Sequence, residues 1–255
     1  MPEWTLETDD FAALWYSAAN DRFPRPLNYL SSLTHENDVV AHRTAVRSRY
    51  PRDELEEIEL ALHTLSTSDL RIEILGGTHK YKGSIGEAKE YRIVGARNPY
   101  RAVVLSQAVL GERNGPIRVR MFRPESLPTA VVKAVPACEP GKQKSATFHP
   151  DDLRPRRDGY LQHSRRSPRE QYERLLQRPA NGGGAAGLLI GPLHSRPEPV
   201  NTVQWYDIID DGRYVELVDR HVSVRPATPE DLIALFTGWI DRALQRLRDD
   251  ENARW

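Results

Sequence analysis

Two stretches of this 255-residue chain pass through the same succession of local signals. In the first half, DELEEIELALHTL from Asp53 has apolar Leu55, Ile58, Leu62 and Leu65 on one stripe, which predicts a helix with Asp53 as its N-cap and Glu56 three later. The run LRIEIL from Leu70 then predicts a strand. EYRIVGAR and RAVVLSQ predict a hairpin around Asn98-Pro99. In the second half, REQYERLLQR from Arg169 reads as a helix and AGLLIG from Ala186 as a strand. A hairpin at Asp211-Gly212 follows. IRVRMFRPESL (Ile117–Leu127) parallels HVSVRPATPEDL (His221–Leu232): each ends a strand, enters through Pro and starts a helix. TLETDDF at Thr5 has a counterpart in TFHPDDL at Thr147. The expected fold is α+β: a quasi-two-fold repeat of two α/β halves sharing a central antiparallel sheet flanked by helical bundles. It forms a single domain over residues 1–255, with pseudo-repeats 1–136 and 145–255 joined by a Pro/Arg-rich linker.

Charge and cysteine content narrow the function classes. Lys+Arg and Asp+Glu both total 36, so no net charge argues for nucleic acid or an acidic membrane surface. The single cysteine, Cys138, rules out an intrachain disulfide framework, and a reducing, cytoplasmic location is expected. MPEWTLETDD carries no basic n-region followed by an apolar run, so no secretory signal is expected, and no stretch is long and apolar enough to span a membrane.

The stretch WYDIIDDGRYVELV, Trp205 to Val218, crowds three aspartates into five residues. Tyr206, Ile208, Val215 and Leu217 alternate at period two, and Asp-Gly is the pair a two-residue type I′ turn requires. That register places Asp210 opposite Arg213, Ile208 opposite Val215 and Asp207 opposite Glu216. The alternative is a catalytic carboxylate pair, Asp207 and Glu216, working as acid and base in a hydrolase.

The last helix is well marked. Thr228 suits the N-cap, Pro229 the first helical position, and Glu230 and Asp231 the positive N-terminus. Leu232, Leu235, Phe236, Trp239, Ile240, Ala243, Leu244 and Leu247 form a wide apolar stripe that packs in the core or, alternatively, meets a partner groove. Between the halves, Pro136 to Ser167 reads as a solvated linker, and residues 154–178 hold eight Arg against three acids with few aromatics, weak grounds for nucleic acid. The glycines Gly182, Gly183 and Gly184 read as a further break. They precede a strand and lack GK[ST], so they are no phosphate loop.

Catalytic and metal signatures fail. No G-x-S-x-G, H-E-x-x-H or zinc-type Cys pair occurs. His35 and His42 lie seven apart on an expected helix without a third ligand, and read as a surface pair. Cys138 stands in a Pro-flanked loop with no assignable base. No cofactor and no metal are expected.

WTLETDDFAALW (Trp4–Trp15), WYDIIDDGRY (Trp205–Tyr214), the helix entries Pro124-ESL and Pro229-EDL, and GGG…GLLIG (Gly182–Gly191) together resemble the EspG family, cytosolic chaperones of type VII (ESX) secretion in actinobacteria. The resemblance implies a quasi-two-fold fold on one antiparallel sheet and no enzymatic activity. It also implies binding of the exposed apolar tip of a PPE protein in a PE–PPE pair, held soluble until export. The expected partner is a PE–PPE-like or WXG100-like substrate, with no nucleic acid and no membrane insertion, and the free chain is expected to be a monomer. Two features depart from the family pattern. Arg154-Pro155 follows the second Pro-Asp-Asp-Leu element, so its helix must be short or absent, and the Arg-rich segment after it suits a divergent client.

The loop Gly76–Lys89 carries the expected client contact. Glycines allow it to move, Lys80 and Lys82 are cationic, and Tyr81 and Ile85 are apolar outside any strand pattern. The partner-binding set is Thr78, Lys80, Tyr81, Lys82 and Ile85, joined by Arg97 and Arg101 at the neighbouring hairpin turn, where guanidinium forks suit carboxylates.

Overall fold

The computed structural model describes residues 2–81, 86–154, 167–195 and 197–253. Among the described residues, ten strands form one antiparallel sheet. The first half supplies β1 (Glu3–Leu6), β2 (Leu70–Thr78), β3 (Lys89–Arg97), β4 (Ala102–Leu110) and β5 (Arg113–Phe122). The second supplies β6 (Ala146–Phe148), β7 (Ala180–Ile190), β8 (Asn201–Ile208), β9 (Gly212–Val218) and β10 (Val222–Pro226). The order is β1-β5-β4-β3-β2-β7-β8-β9-β10-β6, so the two halves join where β2 pairs with β7 over nine residue pairs, Leu70↔Ile190 to Thr78↔Gly182.

Seven α-helices occur among the described residues: α1 (Thr8–Trp15), α2 (Glu36–Ser48), α3 (Arg52–Ser66), α4 (Leu127–Ala134), α5 (Pro150–Leu153), α6 (Pro168–Leu176) and α7 (Pro229–Asn252). On one face, α4 and α7 bury Leu127, Val131, Phe236 and Trp239 against Ile72, Ile93, Val104, Leu188 and Trp205. On the other, α1 and α3 bury Phe11, Trp15, Ile58 and Leu65 against Val94, Val103, Leu105 and Val119. There α6 lays Tyr172, Leu175 and Leu176 over Ile208, Tyr214 and Val224. Alternation along each strand sends successive side chains to these two layers.

The helix stripes read from sequence are the buried ones: Ile58, Leu62 and Leu65 in α3, and Leu232, Phe236, Trp239, Ile240 and Ala243 in α7. Thr228 and Asp231 form a reciprocal capping box. A second box, Ser167 with Glu170, starts α6. For α3 the expected Asp53 cap is not made. Pro51 is the N-cap residue and Asp53 lies inside the first turn, where its charge faces the helix dipole. Arg154 ends α5 after four residues, as the following proline required.

Three sequence readings need correction. The glycine run Gly182–Gly184 does not break the chain; it lies inside β7, facing Gly76 and Gly77 of β2. The reason is a ring pair that crosses this part of the sheet. A Cβ on Gly76 would fall 2.2 Å from the Tyr91 ring, and one on Gly184 would fall 2.7 Å from both Trp205 and the Tyr91 hydroxyl. The Tyr91 hydroxyl donates to the Gly183 carbonyl at 2.7 Å and accepts from Trp205 Nε1 at 3.1 Å.

The described part of the linker is docked on β9, although residues 142–145 stay exposed. The Arg213 amide donates to the Glu139 carbonyl at 2.7 Å, the Gly141 amide to the Arg213 carbonyl at 3.0 Å, and the Gln143 amide to the Tyr214 hydroxyl at 2.8 Å. Residues 155–166, which hold half of the eight arginines of the arginine-rich stretch, lie outside the described residues.

The third correction is the register of the β8–β9 hairpin. Ile208 pairs with Gly212, Asp207 with Arg213, Tyr206 with Tyr214 and Trp205 with Val215. The loop is therefore Ile209-Asp210-Asp211, three residues long, with left-handed backbone at Asp210 (φ 59°). An odd shift reverses the relation between the faces. Val215 joins Trp205 under α7, and Tyr214 joins Tyr206 and Ile208 near α6.

Candidate partner-binding site

At the end of β2, Thr78 remains in the sheet and is buried; its hydroxyl accepts from the Lys80 amide at 3.0 Å. The next turn is stapled to β7, where the Asn181 carbonyl accepts from the His79 amide at 2.7 Å. Lys80 is exposed, and its Nζ lies 3.8 Å from Cys138 Sγ. Tyr81 is half-buried. Its hydroxyl donates to the Glu87 carbonyl at 2.9 Å, and Lys89 Nζ sits 5.8 Å from its ring centroid. Lys82 and Ile85 lie outside the described residues. Of the expected loop, Gly76–Thr78 and Lys89 are strand, so the irregular part is shorter than the glycines suggested.

Beside this turn, on the α4 face, lies a cleft of about 610 Å³ lined by Lys80, Tyr81, Lys89, Tyr91, Ile93, Arg118 and the end of α4 at Lys133–Pro136. On the opposite face, Leu75 stays 51% exposed next to its register partner Ala185, between the areas covered by α3 and α6.

Arg97 and Arg101 are not part of this constellation. Leu70 pairs with Arg97 and Thr78 with Lys89, so the two arginines stand at the far end of the nine-residue β3. At about 3.3–3.4 Å per residue that is about 27 Å from the loop. The connection after β3 is the neighbouring turn in sequence, but an antiparallel strand carries it to the opposite edge. Arg97 is half-buried. Burial lowers its pKa, partly offset by Glu125, Asp69 and Asp241, and its Nε finds no hydrogen-bond partner among the described residues. It lines a second cleft of about 1060 Å³ with Ile190, Leu244 and Leu247. Arg101 is exposed, its amide held by Asn98 Oδ1 at 2.9 Å.

The proposed acid/base pair dissolves with the register. Asp207 accepts from Arg213 Nε at 2.7 Å and Nη2 at 2.8 Å, with both side chains under 5% exposed. Glu216 accepts from the hydroxyls of Tyr172 and Tyr206 and faces Gln204 across the ladder. Their donors raise the stakes on the tyrosines: burial first, then Glu216, pushes both phenols above their usual value. Cys138 lies near the Asp207–Arg213 pair, and burial followed by the Asp207 charge raises its thiol pKa, the reverse of nucleophile activation. His42 does not pair with His35, which stands at the N-cap position of α2 without a side-chain capping bond. Its Nε2 lies 2.8 Å from Asp10. No cluster of three or more metal-type ligands occurs among the described residues, and no described helix is long and apolar enough to cross a membrane.

The docked segment 136–143 and the Tyr91–Trp205 ring pair were not foreseen. The legible signal for the ring pair was the coincidence of two glycine runs, at Gly76 and Gly182, beside apolar strands.

A family-level comparison matches residues 7–235 to the EspG family, which takes in both halves of the sheet and the loop after β2. No curated protein matches the chain. With a match over most of its length, the chain belongs to the EspG family, the chaperones associated with type VII secretion.

Proposed function

We propose that this protein is a cytoplasmic, non-catalytic chaperone that covers the apolar tip of a PE–PPE-type secretion substrate and keeps it export-competent. The observation that carries the reading is the family match across 7–235. The physical logic agrees with it. A substrate with an exposed apolar helix tip aggregates unless covered, and a cover that must later let go combines a modest apolar contact with a charged rim. Around the end of β2, half-exposed Leu75 and Tyr81 supply apolar area and Lys80 supplies charge. We assign the contact to Thr78, Lys80, Tyr81, Lys82 and Ile85, with Thr78 fixing the turn from within. Arg97 and Arg101 belong to a separate contact at the other edge of the sheet.

The matched strand orders on either side of the β2–β7 junction support a quasi-two-fold relation between halves. In this reading each half offers one strand-connecting loop, and the client meets the one after β2. The test is calorimetric titration of a purified PE–PPE pair. Replacing Tyr81 and Ile85 by Ser should leave Tm nearly unchanged and weaken binding about tenfold to a hundredfold, about 1.4–2.8 kcal/mol. Wild-type affinity in that variant removes the loop from the interface, and failure of any PE–PPE pair to bind removes the function.

A further inference from the structure

The cleft beside the β2–β3 turn has an unusual charge. Its walls bring Lys80, Lys89, Lys133 and Arg118 to one concavity, and among the described residues no carboxylate side chain lines it. Only Arg118 has an ion-pair partner among the described residues, Glu3 at 3.3 Å. Three arginines elsewhere in the sheet do have carboxylate partners: Arg71 pairs with Glu73, Arg92 with Glu90 and Arg213 with Asp207. The chain as a whole is neutral, so this positive potential is local and focused by the cleft. Its floor is apolar. Tyr91 and Ile93 are 7% and 0% exposed, and the Tyr81 ring closes one side beneath the Lys89 ammonium.

Like charges gathered in a concavity repel unless a ligand neutralises them. An apolar floor with a cationic rim fits a short peptide that carries carboxylates around an apolar side chain. A nucleic acid would require a longer basic stripe than these few residues offer. We propose that this cleft binds an acidic peptide segment of the client that adjoins its apolar tip, the two sharing Lys80 and Tyr81. The lysines meet the carboxylates, and an aromatic or leucine side chain rests against the half-buried Tyr81 ring and the accessible edge of Tyr91. The identity of the owner as a client rests on the chaperone reading; the peptide specificity of the cleft does not.

The probe is a fluorescein-labelled peptide, EELEEF, titrated into the full chain and followed by anisotropy, beside its neutral analogue QQLQQF. We expect saturable binding of EELEEF that weakens severalfold from 50 to 300 mM salt, and at least tenfold weaker binding of QQLQQF. Lys80→Ala with Lys133→Ala should weaken EELEEF at least tenfold without changing Tm, and Arg52→Ala, on the distant α3, should not. Equal binding of both peptides, no binding of EELEEF, or an unaffected double variant overturns the proposal. Displacement by inorganic phosphate at equal charge concentration would reduce the cleft to a simple anion site, and tighter binding of oligo-dT would make it a nucleic-acid site; either overturns it. Peptide binding in a protein that captures no PE–PPE pair would leave the cleft standing and sink the chaperone reading instead.

Discussion

Replacing Asp207 by Ala isolates a guanidinium in the centre of the second half. Arg213 is 2% exposed and gives two hydrogen bonds to Asp207; its remaining side-chain acceptor is the Pro136 carbonyl at 2.9 Å. Its ring neighbour Trp205 lies 6.0 Å away and cannot replace a carboxylate. Removing one member of a buried ion pair costs about 3–5 kcal/mol, because the other charge is left desolvated. For a chain of this length that corresponds to a fall in Tm of about 10 °C. Urea unfolding gives the free energy directly, and a thermal scan gives the shift. The double variant Asp207→Leu/Arg213→Met removes both charges and should be more stable than Asp207→Ala, since apolar residues of similar volume often replace buried pairs at little cost. A loss below about 1 kcal/mol for Asp207→Ala, or a double variant whose loss equals the sum of the singles, would refute the claim that the pair is buried and coupled.

Gly212→Val should destabilise by more than about 1 kcal/mol in urea unfolding, because its Cβ would fall 2.5 Å from the Pro140 carbonyl; unchanged stability would undock the 136–143 segment from β9. Thr228→Ala should cost about 1 kcal/mol by loss of the α7 capping box. The Thr228 amide and hydroxyl hold the Asp231 carboxyl below its usual 3.8, so its contribution is present above pH 3.8 and is lost as pH falls through the depressed value. The stability gap between wild type and Asp231→Asn should therefore close on acidification, and a gap that widens would contradict the cap. A fragment of residues 1–140 lacks β7 and so exposes the nine-residue ladder of β2; it should aggregate, and a soluble, cooperatively melting fragment would show separable domains.

How far the sequence could be read depended on the range of the interaction. The stripes of α3 and α7, the Thr228 entry, the short α5 and the existence of both hairpins follow from side chains within a turn or two of one another, where local sterics and hydrogen bonds decide. The β8–β9 register did not follow, although Asp211-Gly212 is a strong local turn signal. Burial of Trp205 and Val215 under α7, together with the Asp207–Arg213 pair, favours the three-residue loop, and these are contacts between elements. The candidate site divides in the same way. Lys80 and Tyr81 were found as an apolar and cationic turn between strands. That Arg97 stands at the other end of β3, and that Lys133 and Arg118 come from α4 and β5 to complete a cleft with Lys80, only the folded sheet decides. Spacing along a chain fixes which face a residue takes within its own element. Which element lies across from it is fixed by packing, and it is packing that gathered Lys80, Lys89 and Lys133 into one place.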